Sequence, residues 1–218
     1  MRSTPPPEVR VVVSPLFEEN AYLLALPERD DCLVVDPGLD PASIEAEIDR
    51  WGKTPSAILN THGHADHIAG NARLKERWPD APLIIGEGDS PKLGDPKGNL
   101  SAGYGLALVS PPADRTVREG DVLELAGMRL LVRETPGHSA GHVAYFALDY
   151  EPELVLGGDV LFAGSIGRSD FPDSDPEALV ASIRLKFYAL PDRAVVLTGH
   201  GPTTTIGRER RSNPFVRD

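Results

Sequence analysis

Thr61-His62-Gly63-His64-Ala65-Asp66-His67 places four potential cation donors, His62, His64, Asp66 and His67, inside six consecutive residues. The apolar run Ala57 to Asn60 precedes it and a helical pattern begins near Ile68, so the segment reads as a strand-to-helix turn. Gly63 allows backbone conformations that a side chain would forbid, which lets His62 and His64 project to one side while Asp66 and His67 turn toward another. One ion could hardly use all four donors. Two ions sharing the turn, at about four or five ligands each, need further donors from elsewhere in the chain.

Those donors are present. The chain has six histidines, and the three outside this turn sit in Gly137-His138-Ser139-Ala140-Gly141-His142 and Thr198-Gly199-His200-Gly201-Pro202. Imidazole is the commonest metal ligand, and every histidine here lies beside Gly, Ser, Thr or Asp at loop-like positions. The matching acid is Asp159 in Leu156-Gly157-Gly158-Asp159, at the end of a short apolar strand where an unpaired carboxylate would be costly. A carboxylate bridging two cations gives it a physical reason to be there.

Around these motifs, β-branched runs at 9–14, 21–26, 32–35, 57–60, 83–85, 122–125, 129–133, 143–148, 154–156 and 194–197 read as strands. Helical patterns occupy 41–51, 68–78, 175–190 and a short stretch near 203–211. Strands mixed with a few helices favour sheet layers covered by helices. Residues 86–114, rich in Gly, Pro, Ser and Asp, read as a long irregular loop of the lid-like or mobile kind. The formal charge of -11 over 218 residues speaks against nucleic acid or an anionic membrane as partner. No apolar run approaches the roughly 20 residues that span a bilayer, and the start is Pro-rich and polar, so a cytoplasmic protein is expected. The single cysteine, Cys32, lies in an apolar run and reads as buried.

Taken in order, the His-x-His-x-Asp-His run, His138 in Thr-Pro-Gly-His-Ser, Asp159 in Gly-Gly-Asp-Val-Leu-Phe and His200 in Thr-Gly-His-Gly-Pro resemble the ligand series of the metallo-β-lactamase fold superfamily. Within it the chain is most similar to the short bacterial form of the glyoxalase II group, through Asn20 to Leu24, Val35-Asp36-Pro37-Gly38, Gly167-Arg168-Ser169-Asp170-Phe171 and Glu209 to Phe215. The resemblance implies an α+β fold, the αββα sandwich, with two mixed sheets packed face to face and helices on the outer faces. It also implies one domain over 1–218, with a flexible leader at 1–8 and no C-terminal helical domain. By position, His62, His64 and His138 would hold a first metal, Asp66, His67 and His200 a second, and Asp159 would bridge them. Zinc is the expected ion of both sites, and the same donors suit iron and manganese.

The implied reaction is hydrolysis of a thioester, with S-(2-hydroxyacyl)glutathione the expected substrate, by a hydroxide held between two metal ions whose bound water is acidified toward ~7. A thiolate of pKa about 8.5 leaves without a general acid, and Asp66 is the catalytic candidate that orients the nucleophile. His142 and Asp36 are expected to touch the ligands from behind. Arg168 is the candidate contact to a glutathione carboxylate. Longer members of the group have tyrosines where Asp170 and Pro202 stand here, and only 18 residues follow His200. Asn20 reads as a turn residue, Tyr104 and the loop at Asn99 as solvated loop, and Glu209 to Arg211 as an exposed helix face. Persulfide dioxygenases form the alternative: they share the fold and resemble the chain at 167–171, and they bind one iron at the counterparts of His62, His138 and Asp159. They carry Cys where His142 stands and His-Asp-Tyr where this chain has His200-Gly201-Pro202. Lactonase or other ester hydrolysis is a further alternative.

Overall fold

Each buried strand sends alternate side chains into two different apolar layers in the computed structural model, which describes residues 6–217. Along β2 (Asn20–Ala25), Tyr22 and Leu24 join Leu33, Val35 and Leu59, while Ala21 and Leu23 join Ile44, Ile48 and Leu74. Along β9 (Val143–Ala147), Val143 and Tyr145 enter that first cluster, while Ala144 and Phe146 meet Leu179, Ile183 and Phe187. Burial on both faces, at period two, requires a sheet below and helices above, and so yields the αββα order.

The first sheet runs β1 (Glu8–Val13), β2, β3 (Asp31–Val35), β4 (Thr54–Asn60), β5 (Leu83–Gly86) and β6 (Arg115–Val117), antiparallel up to β3 and parallel thereafter. The second runs β14 (Thr204–Thr205), β13 (Val195–Thr198), β10 (Leu154–Gly158), β9, β8 (Met128–Glu134) and β7 (Val122–Leu125), with only the β10–β13 pair parallel. A small hairpin, β11 (Leu161–Phe162) and β12 (Ser165–Ile166), follows β10.

Helix α1 (Pro41–Trp51) starts where the Asp40 carboxylate accepts from the Ser43 N–H at 3.2 Å, and it stops at Gly52 with φ 69°. The single helix expected over 68–78 is instead two, α2 (Ala65–Ile68) and α3 (Asn71–Arg77). The break falls at Gly70, whose N–H donates to the Pro37 carbonyl at 2.8 Å, an approach so close that a Cβ there would lie 2.9 Å from that oxygen. The pattern at 175–190 forms α4 (Pro176–Ser182) continued by a π turn, Ile183–Phe187, and α5 spans Ile206–Ser212.

The loop at 86–114 is not bare. It carries 3₁₀ turns at Ser90–Gly94 and Ser101–Tyr104, held by the buried Asn99, whose amide donates to the carbonyls of Lys92 at 3.2 Å and Leu108 at 3.0 Å. The leader expected over 1–8 falls mostly outside the described residues, and Glu8 already belongs to β1. Cys32 is buried. Among the described residues no helix is long and apolar enough to cross a membrane.

Candidate metal centre

The donors of the two sheets meet at one edge of the sandwich. His62 to His67 run from the turn after β4 into α2, His138 follows β8, Asp159 follows β10 and His200 follows β13. Reciprocal hydrogen bonds lock these loops together. Tyr145 of the second sheet donates its hydroxyl to the carbonyl of Asn60 at 2.9 Å, and Tyr22 of the first sheet donates to the carbonyl of Thr198 at 2.9 Å. Those carbonyls end β4 and β13, each two residues before a histidine. Asn20 is more than a turn residue: it opens β2, and its amide donates to the carbonyls of Thr198 at 2.9 Å and Gly201 at 2.8 Å, on both sides of His200.

Three overlapping donor sets result, His62 with His64 and His138, His62 with His67 and Asp159, and Asp66 with His67 and His200, each with donor atoms within 4.8 Å of one another. His64 Nδ1 lies 2.9 Å from His138 Nε2, and His67 Nε2 lies 3.3 Å from His200 Nε2. Asp159 reaches both groups: Oδ1 is 3.4 Å from His67 Nε2, and Oδ2 is 3.5 Å from His138 Nε2 and 3.4 Å from His200 Nε2. The set fits divalent cations on its own terms. His62 Nε2, His64 Nε2 and Asp159 Oδ1 are buried without a hydrogen-bond partner, a costly state that a cation at His62 and Asp159 relieves.

Partners behind the rings choose which nitrogen faces inward. His138 Nδ1–H donates to the Arg168 carbonyl at 2.8 Å and His200 Nδ1–H to the Phe17 carbonyl at 2.9 Å, turning each Nε2 toward the other donors. Asp36 accepts from both the N–H and the hydroxyl of Thr61 at 2.7 Å, and the Thr61 oxygen in turn accepts from His62 Nδ1–H at 3.1 Å. The same carboxylate lies 3.2 Å from His67 Nδ1, from a backbone held at φ 49°, a left-handed conformation uncommon for Asp. His142 packs behind the donors with both ring nitrogens engaged. Its Nε2 accepts from the Asp159 N–H at 3.2 Å, its Nδ1–H donates to Thr135 Oγ1 at 2.8 Å, and its ring stacks on His62 at 5.0 Å.

Charge divides the cluster. Burial, reinforced by the neighbouring imidazoles, drives His62 well below its ordinary range and His64 down to about 3, so both are neutral at pH 7. Burial also opposes charge on His67 and His200, but the carboxylates of Asp159 and Asp66 outweigh it and raise them to about 10 and about 11. Despite burial, the same contacts hold Asp159 and Asp66 below the usual carboxylate range.

Two acids absent from the sequence reading support the site. Asp89, fully buried, accepts from the Gly63 N–H at 2.8 Å, the Gly141 N–H at 2.8 Å and the Ser139 hydroxyl, and pairs with Lys92 at 3.1 Å. It thereby joins the two loops that carry His62, His64 and His138. Glu19 is buried with both carboxyl oxygens unpartnered, and burial raises its pKa well above the ordinary value. Glu209 is buried too, contrary to the exposed face expected of it: it accepts from the Gly164 N–H at 2.8 Å and the Asn213 amide at 2.9 Å, bracing the β11–β12 hairpin.

A cavity of about 400 Å³ opens over the donors, lined by Asp66, His138, Asp159 and His200 on its floor. Its walls come from the 99–108 loop, the hairpin and Phe171. Tyr104 is solvated as expected yet lines the cavity, whereas Asn99 is buried, and its carbonyl accepts from the first N–H of α2 at 2.9 Å. Arg168 stands at the mouth, its guanidinium bound to Asp170 by two hydrogen bonds of 3.0 Å and lying 4.3 Å over the ring of Phe171.

Comparison with known proteins agrees with this geometry. The family model of the metallo-beta-lactamase superfamily matches residues 15–200. The chain is 38% identical to the probable metallo-hydrolase YqgX of Bacillus subtilis, over 95% of this chain and 96% of that one. It is 33% identical to hydroxyacylglutathione hydrolase GloC of Haemophilus influenzae, over 95% and 97%. Among solved structures, it superposes on BLEG-1 B3 metallo-beta-lactamase with TM-score 0.92 and 34% identity over 97% of this chain and all (100%) of that one. It superposes on TTHA1623 in a di-iron-bound form with TM-score 0.83 and 38% identity over 95% of this chain and 100% of that one.

Proposed function

Since the chain belongs to the metallo-β-lactamase superfamily, we propose that it is a binuclear metal-dependent hydrolase of thioesters, acting on acyl groups carried by glutathione. The observation that carries the binuclear part is Asp159, whose two oxygens lie 3.4–3.5 Å from nitrogens of both histidine groups. His62, His64 and His138 would hold one cation, Asp66, His67 and His200 the other, and Asp159 would touch both. Bound there, the cations supply Lewis-acid polarisation of a carbonyl and acidify water.

The chain's own residues do the rest. Asp66 is ionised and faces the cavity, where its carboxylate orients the attacking water by accepting a hydrogen bond. Asp36 and the carbonyls of Arg168 and Phe17 keep the imidazoles aimed at the floor. Among the described residues no lysine or cysteine lines the cavity, and none is needed, because a thiolate of pKa about 8.5 departs unprotonated. The likeness to GloC supports glutathione as carrier, and Arg168 at the mouth supplies a cation for one of its carboxylates.

Metal content per chain, measured with S-lactoylglutathione hydrolysis and persulfide-dependent oxygen uptake on the same preparation, tests the reading. Two metals with thioester cleavage are expected. One iron with oxygen uptake and no hydrolysis overturns it in favour of a dioxygenase.

A further inference from the structure

Above its floor the cavity over the donors is mainly apolar, with Ser101, Ser165 and the Tyr104 hydroxyl as scattered polar groups. Above Asp66, His138, Asp159 and His200, the walls are Leu100, Leu106, Leu108, Phe162, Ile166 and Phe171. Phe17 and Tyr104 complete the rim, their rings meeting edge-on at 5.2 Å. Tyr104 is 61% exposed, Leu106 55% and Phe17 50%, so large apolar side chains stand open to solvent where a substrate would enter. A solvated rim of this composition is unusual unless apolar matter covers it. Arg168 is at the mouth and already shares its guanidinium with Asp170.

A short acyl group would leave the leucine and phenylalanine walls wet. An alkyl or aryl acyl group buries both surfaces. We infer that the cavity selects thioesters whose acyl group is apolar, a medium alkyl chain or an aromatic ring, lying between the 99–108 loop and the β11–β12 hairpin, with the thiol carrier directed outward past Arg168. This inference rests on the hydrolase reading above and narrows it to a substrate class. The fixed position of the hairpin matters here: Glu209 and Asn213 hold it from below, Asn213 donating to the Ser165 carbonyl at 3.0 Å, so Phe162 and Ile166 form a set wall.

The test compares S-acetyl-, S-lactoyl-, S-butanoyl-, S-hexanoyl- and S-benzoylglutathione as substrates of the metal-loaded protein. In parallel, calorimetry measures binding of acetate and octanoate to the zinc-loaded protein. We expect kcat/KM to rise about three- to fourfold per added methylene, benzoyl to exceed lactoyl, octanoate to bind far more tightly than acetate, and L106Q and F162A to flatten both trends. A flat series with lactoyl preferred overturns the inference and leaves the hydrolase standing. Absence of all thioester hydrolysis together with chain-length-dependent carboxylate binding removes the hydrolase reading and leaves the apolar acyl site. Absence of both overturns both.

Discussion

The carbonyl oxygen of Phe17 accepts a hydrogen bond from His200 Nδ1 at 2.9 Å, while the Phe17 ring lines the mouth of the cavity. Backbone and side chain of one residue thus serve different ends, and a substitution separates them. Phe17→Ala keeps the carbonyl that aims His200. It should leave metal content per chain unchanged and raise KM for apolar thioesters about tenfold, the effect of losing roughly half of a phenyl contact. Metal analysis beside steady-state kinetics distinguishes this from a general loss of structure.

Gly199 separates β13 from His200, and a Cβ there would lie 2.0 Å from Asp159 Oδ1 and 3.0 Å from His67 Cε1. Gly199→Ala must therefore displace the carboxylate that reaches both donor groups. Metal affinity should fall about 10–100-fold, as it does when partners that orient ligands are lost. Titration with a chelating indicator reads the change, and unchanged affinity would contradict the placement of Asp159.

Asp89 joins the turn at Gly63 to the loop at Ser139 and Gly141. In Asp89→Asn an amide NH₂ would face an N–H or hydroxyl donor, while Lys92 would keep its contact to Asp173 at 2.6 Å. Stability of the metal-free chain in urea should drop by about 1–3 kcal/mol. The conservative Asp89→Glu should recover less than half of that, because the longer carboxylate cannot keep three donors in place.

Proton release should differ between the two donor groups. His67 and His200, raised to about 10 and about 11, carry protons at pH 7 that a cation must displace. His62 and His64, both lowered, carry none. Filling the Asp66–His67–His200 group should therefore liberate protons near neutrality and strengthen as pH rises toward 10, whereas filling the His62–His64–His138 group should vary less. The sign for the metal-free fold is opposite. Because the two values are raised from the ordinary 6.5, the imidazolium contacts to Asp159 and Asp66 contribute stability that is complete below about 6.5 and is lost as pH rises through about 10 and 11. Calorimetry in buffers of different ionisation enthalpy counts the protons, and pH-dependent melting of the chelator-treated chain checks the second sign.

The histidine turn was legible because its donors are neighbours in sequence, and Asp159 because a carboxylate closing an apolar strand needs a reason. The mixture of β-branched runs with a few helical patterns likewise announced sheets covered by helices. Asp89 and Glu19 were not legible. Each sits among ordinary turn residues, and the Asp89 partners lie 26 and 52 positions away, so its burial exists only once both halves have packed. Glu209 misled for the same reason: its helix looks amphipathic and exposed until a hairpin 45 positions earlier closes over it. Strands β11, β12 and β14, two residues each, are too short to carry a period.

The crossed tyrosines, Tyr22 reaching Thr198 and Tyr145 reaching Asn60, mean that neither half of the chain finishes its own donor loop. Each borrows a bolt from the other. A fragment holding only the first half would keep the histidine-rich turn but lose the strut beneath it, and would grip a cation poorly. Full cation affinity should therefore arise only once the two halves have docked, and cation uptake followed during refolding would time that docking.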